Sequence, residues 1–61
     1  MKDIYYIVYN KETYEIIDTF KYFNRADDLA KSNLEYAWLN VTHPKNKSLL
    51  RDINAFNGTN Y

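Results

Sequence analysis

Side chains able to do chemistry are few in this sequence and poorly grouped for catalysis. The only histidine, His43, stands beside Pro44, and there is no cysteine. Nucleophilic catalysis needs a serine, threonine or cysteine next to a base that a third group orients. At its position His43 reads instead as a helix-terminus cation or an exposed imidazole. Asp27 and Asp28 are neighbours in sequence, so on a helix they point about 100° apart and make no carboxylate dyad. Glu12, Glu15 and Asp18 run along one strand and its loop without the ligand spacing of a calcium or magnesium site. A single glycine, Gly58, leaves no glycine-rich phosphate loop. One imidazole without thiols cannot build a zinc cage. These residues imply a non-enzymatic protein with no cofactor and no metal.

A second grouping is basic. His43, Lys45, Lys47 and Arg51 fall within nine positions, where together they could hold a phosphate, a nucleic-acid backbone or an acidic partner patch. Tyr36 or Tyr61 would then offer a stacking platform. The same four residues also suit a solvated turn that complements a helix C-terminus. Against the nucleic-acid reading stands the overall balance, eight basic against eight acidic residues, since phosphate binders carry a visible basic excess. That leaves nucleic acid as a secondary partner class. No apolar run is long enough to span a bilayer, and Met1-Lys2-Asp3 opens the chain without an apolar leader. A cytoplasmic protein with no membrane partner is expected.

The elements that must position these groups follow from patterning. Ile4-Tyr5-Tyr6-Ile7-Val8-Tyr9 and Tyr14-Glu15-Ile16-Ile17-Asp18-Thr19-Phe20 are β-branched and aromatic runs separated by the polar Asn10-Lys11-Glu12-Thr13, the signature of a β-hairpin. Asn24 suits a helix N-cap, with Asp27 and Asp28 in the first turn and Phe23 as a hydrophobic staple. Ala26, Leu29, Ala30, Leu34, Ala37, Trp38 and Val41 then recur at helical spacing until Pro44 forces a stop near Thr42 or His43. Eighteen helical residues would be about 27 Å long and cross the hairpin. An alternative breaks the helix near Ser32-Asn33 and makes Tyr36 to Val41 a third strand. Ser48 can cap a shorter second helix with Leu49, Leu50, Ile53 and Phe56 on its apolar side, closed by Asn57-Gly58. The expected fold is α+β, a single domain over residues 1–58 in the order β-β-α-α (alternatively β-β-α-β-α), with a frayed tail at 59–61.

A four-residue loop would pair Tyr9 with Tyr14 and Ile7 with Ile16. One sheet face then carries Tyr5, Ile7, Tyr9, Tyr14, Ile16 and Phe20, and the other Ile4, Tyr6, Val8 and Ile17. Neither face is polar, whereas a half-exposed antiparallel pair alternates apolar with polar residues. The long helix would cover Ile4, Val8 and Ile17. The second face needs the second helix, another copy of the chain or a different protein.

Size sharpens that requirement. At 7.4 kDa a chain buries only about 60% of its unfolded surface, and without cysteine no disulfide can compensate. Tyr5, Ile7, Tyr9, Tyr14 and Ile16 are therefore the expected partner-binding residues, tyrosine being well suited to binding hot spots. The expected function is protein interaction, with another protein such as a host enzyme or regulatory factor, or with a second copy in a homodimer. The hairpin-then-helix order and small size are generically similar to phage-encoded accessory proteins that bind and inhibit a host enzyme by steric occlusion.

Overall fold

One strand organises the molecule. Residues 4–61 are described by a computed structural model, and the expectation of a start without an apolar leader, which falls on residues 1–3, lies outside them. β1 (Tyr6–Asn10) is flanked by β2 (Ile16–Phe20) on one edge and β3 (Tyr36–Asn40) on the other, both antiparallel to it. α1 (Phe23–Lys31) joins β2 to β3, and α2 (Lys47–Asn57) follows a single 3-10 turn at Pro44–Asn46. The α+β class holds. The long first helix does not, because residues 36–40 form a third strand, as in the alternative order.

The helix stops where local side-chain bonds compete with it. Ser32 donates its hydroxyl to the Leu29 carbonyl at 2.6 Å, and the Asn33 carboxamide accepts from the Glu35 N–H at 2.9 Å. Serine and asparagine offer the backbone such alternatives to a helical ladder. Beyond them, Tyr36, Trp38 and Asn40 point to one side of the sheet and Ala37 and Leu39 to the other, a period of two that fits the sequence as well as the helical stripe does. Sheet pairing decides between them, because β1 has a second edge to fill. Leu34, counted in the helical stripe, is 94% exposed in the connecting loop. The helix starts at Phe23 with Tyr22 as its N-cap and no side-chain cap bond, so Asn24 lies inside it. Asp27 and Asp28 fall beyond the first turn. Asp27 instead accepts from Lys31 one turn on, at 2.8 Å, and this hydrogen bond holds the Lys31 ammonium above its ordinary range.

The hairpin register also differs from the expected one. Tyr9 pairs with Ile16 and Val8 with Asp18, so Ile17 is an extra residue on β2. Such a bulge shifts everything beyond it to the opposite face, which moves Phe20 opposite Tyr6. The turn itself is built by Asn10, whose side-chain oxygen accepts from the N–H groups of Glu12 and Thr13 at 2.7 and 3.2 Å. Tyr14 leaves it with φ at +69°, a conformation uncommon for a residue with a Cβ.

Each sheet face has its own helix. Val8 and Ala26 are fully buried on the α1 side, where Phe23 meets the rings of Tyr6 and Trp38 edge-on. On the other side Ile53 of α2 is fully buried against Ile7, Tyr9 and Leu39, with Leu49 and Leu50 beside it. Phe56, expected on the same apolar side, is exposed. Ser48 is inside α2, and the preceding turn is capped by His43, whose Nδ1 accepts from the Lys45 N–H at 3.1 Å. The far end of α2 is pinned by Asn57. Its carboxamide accepts from the Ile16 N–H at 3.0 Å and donates to the Tyr14 carbonyl at 2.7 Å. Gly58 closes the helix at φ +67°, which glycine adopts without steric cost. At residues 59–61, Thr59 and Tyr61 donate backbone N–H groups to Asn54, and Tyr61 packs against the core.

Core and loop positions should separate cleanly in stability. Ile53→Ala removes the α2 side chain seated at the centre of one core and should cost about 2–5 kcal/mol in urea unfolding. Leu34→Ala should stay within about 0.5 kcal/mol of the parent. Equal losses at both positions would contradict the placement of α2.

Candidate interaction surface

The face expected to receive a partner is filled from within the chain. Ile7 is fully buried and Tyr9 only 7% exposed, because α2 lies over them. Ile16 and Tyr14 are half-buried at the rim of that core, with the Tyr14 ring edge-on to Tyr9 at 6.3 Å. Tyr5 alone of the five presents substantial area to solvent. The physical reason is the third strand. By ending α1 at Lys31 it leaves that helix on the Val8 side alone and sends the chain round so that α2 returns over the other.

Exposed apolar area gathers on the α1 side instead. Phe23 and Trp38 remain 43% and 40% exposed, although their ring centroids are 4.8 Å apart and the planes cross at 87°. Tyr6 completes the cluster, 5.7 Å from Phe23 and 5.9 Å from Trp38, both edge-on. Tyr22 stands next to Phe23 at 60% exposure with the Lys21 ammonium over its ring. Edge-to-face packing is a favoured aromatic geometry, so Tyr6, Phe23 and Trp38 form one packed apolar cluster with Tyr22 beside it in sequence. Local elements explain its position: Tyr6 and Trp38 share a sheet face by strand register, and Phe23 opens α1 directly above them. Sequence reading missed this group by assigning Trp38 to a helical core stripe and Phe23 to a staple. The period-two spacing of Tyr36 and Trp38 was the available signal.

The basic residues do not form one site. His43 and Lys45 border a shallow depression of about 510 Å³ together with Tyr6, Trp38, Asn40 and Leu49. Lys47 and Arg51 lie one helical turn apart on α2 and border a different depression, with Leu50, Asn54 and Tyr61. All four are exposed, and the Arg51 guanidinium has Asp52 as a neighbour at 3.9 Å. Asp18, Glu12 and Glu15 are exposed around β2 and its turn. Among the described residues no three histidine, aspartate or glutamate side chains gather closely enough to hold a metal ion, and no helix is long and apolar enough to cross a membrane.

Burial of Tyr9 has a measurable consequence. Desolvation pushes its phenol above the ordinary 10.0, and the neighbouring Tyr14 adds to the shift. The folded state then keeps this proton where the unfolded chain has lost it, so stability falls as pH rises from about 10 through the folded pKa and is unaffected by this group below that window. In an alkaline absorbance titration the Tyr9 phenol should ionise late, and Tyr9→Phe should remove that late step. A titration in which Tyr9→Phe removes an ordinary step would place Tyr9 at the surface.

No protein-family model, curated protein or solved structure matches this chain.

Proposed function

We propose that the chain is a small non-enzymatic protein-interaction module that engages a larger protein through the Tyr22, Phe23 and Trp38 surface. The observation that carries this reading is the exposure of three large aromatic side chains, each at least 40%, at the start of α1 and on β3, with Phe23 and Trp38 packed edge-on. Tryptophan and tyrosine are the residues most enriched at binding hot spots, because they bury large area at little conformational cost. The His43 imidazole and the Lys45 ammonium beside Trp38 supply a polar rim whose charge comes from Lys45, which favours a partner with a carboxylate beside an apolar contact. A body of this size works by steric occlusion, covering a functional surface of its partner and so modulating or inhibiting it. Service to a phage or mobile element in a host cytoplasm is the setting we propose for it.

The separation of His43 and Lys45 from Lys47 and Arg51 weighs against nucleic acid as the partner, since a backbone-tracking groove needs its cations in one line. The test is affinity capture with the full chain as bait against two variants. Tyr22→Ser/Trp38→Ser should lose the captured protein, each truncation costing about 2 kcal/mol or roughly thirtyfold in affinity. Phe56→Ser, at a ring at least as exposed but on α2, should keep it, and both variants should retain the far-UV circular dichroism of the parent. Capture that survives the double change with the fold intact would remove this surface from the account.

A further inference from the structure

The two edges of the sheet are treated differently, and the difference specifies a partner for one of them. On β2 two outward N–H groups are occupied, and so is a carbonyl just before the strand. The Thr19 N–H donates to the Asp18 carboxylate at 2.7 Å, the Ile16 N–H to Asn57 at 3.0 Å, and the Tyr14 carbonyl accepts from Asn57 at 2.7 Å. The bulge at Ile17 further breaks its regularity. Charged side chains and bulges are the devices that keep an edge strand from pairing.

β3 carries none of these. Its five residues, Tyr-Ala-Trp-Leu-Asn, include no charge, proline or glycine. The Val41 N–H donates to the Tyr5 carbonyl and the Lys11 N–H to the Glu35 carbonyl. Bonded residues alternate in an antiparallel ladder, so Glu35, Ala37, Leu39 and Val41 face β1, and Tyr36, Trp38 and Asn40 present their backbone outward. Two of these outward groups are satisfied internally: the Tyr36 N–H donates to the Asn33 carbonyl and the Asn40 carbonyl accepts from the Asn46 side chain, each at 3.0 Å. Among the described residues nothing pairs with the other four, the N–H groups of Trp38 and Asn40 and the carbonyls of Trp38 and Tyr36.

These four groups are self-complementary. We infer that β3 pairs antiparallel with β3 of a second copy, about a two-fold axis at Trp38. In that register Trp38 N–H meets the Trp38 carbonyl of the other copy, twice, and Asn40 N–H meets its Tyr36 carbonyl, twice. The groups such a pair would leave over are the two already satisfied within each chain. Charge follows the same symmetry. Glu35 precedes β3 while Lys45 follows it, so antiparallel pairing brings the acidic end of one strand towards the basic end of the other. The two Trp38 side chains become a cross-strand aromatic pair, which stabilises antiparallel sheets. A six-stranded sheet results, in the order β2-β1-β3-β3-β1-β2, and both of its outer edges are the protected β2. Association therefore closes at two copies rather than growing into a filament. This pairing rests on the free backbone groups of β3 and needs neither Tyr22 nor Phe23, although it shares the Trp38 ring with the aromatic surface proposed above.

Sedimentation equilibrium of the full chain should show a monomer–dimer equilibrium with a dissociation constant in the range of about 10–500 µM, the weak end expected of a small contact. Amide hydrogen exchange on the unaltered chain locates the contact. Raising the concentration from about 10 µM to about 1 mM should slow exchange at Trp38 and Asn40 severalfold and leave other outward amides unchanged. Trp38→Lys, which sets two ammonium groups against each other on the axis, should sediment as a monomer. The exchange measurement stands even where that variant is poorly folded. A chain that is strictly monomeric at about 1 mM, or one that dimerises while Trp38 and Asn40 exchange at the same rate at both concentrations, would overturn the inference.

Discussion

Everything in this molecule depends on the burial of β1 from four directions. Ile7 and Val8 are adjacent, point to opposite faces and are both fully buried. A strand of that kind is normal in the middle of a large sheet, but 61 residues leave almost nothing to spare for it. The chain meets the demand with one strand on each edge and one helix on each face. Each connection is consequently short, and each closure rests on a few polar side chains at the corners. Asn10 builds the hairpin turn, Ser32 and Asn33 end α1, His43 caps the turn before α2, and Asn57 ties α2 to β2. The abundance of asparagine has a structural account here: its carboxamide both donates and accepts, which suits backbone groups at corners.

That constraint also explains what was legible in the sequence and what was not. The hairpin, α2 and its glycine stop follow from local rules, because their β-branched runs, apolar spacing and αL cap are all encoded within a few residues. The excess of apolar side chains on both faces of the hairpin was equally legible, and it did mean that both faces are covered. Which element covers them was not. Residues 34–41 satisfy a helical stripe and a period-two strand alike, and only the unfilled edge of β1, some thirty positions away, selects the strand. The bulge at Ile17 is a second non-local choice, since the expected four-residue loop would have put Phe20 on the other face. The consequence for the candidate site is direct. Tyr9 moved from an expected contact surface into the core, and Trp38 moved from an expected core to the surface.

The functional readings rest on that inversion. A surplus of grease in a small chain can be absorbed by the fold or displayed, and here most of it is absorbed. Tyr5, Leu34 and Phe56 are exposed singly, and the rest of what stays displayed gathers in one place: the aromatic rings at the start of α1 and the centre of β3, beside the backbone of the same strand. β2 is guarded by Asp18, Asn57 and a bulge, whereas β3 is neutral and regular. Both proposed contacts therefore meet at Trp38, one through its ring alone and one through its peptide groups with the ring beside them. The third strand, which local sequence rules left ambiguous, is the element on which function would turn.

The most direct test of this account is the set of proton–proton contacts made by residues 34–41 in solution. Facing, non-bonded residues of antiparallel strands bring their Cα atoms to about 4.5 Å, close enough for strong Hα–Hα Overhauser effects. The account requires such effects between Val8 and Trp38 and between Tyr6 and Asn40, the pairs that fix β3 against β1. Medium-range Hα-to-amide contacts three residues apart through 34–41, with no Val8–Trp38 contact, would show a continuous helix and contradict it.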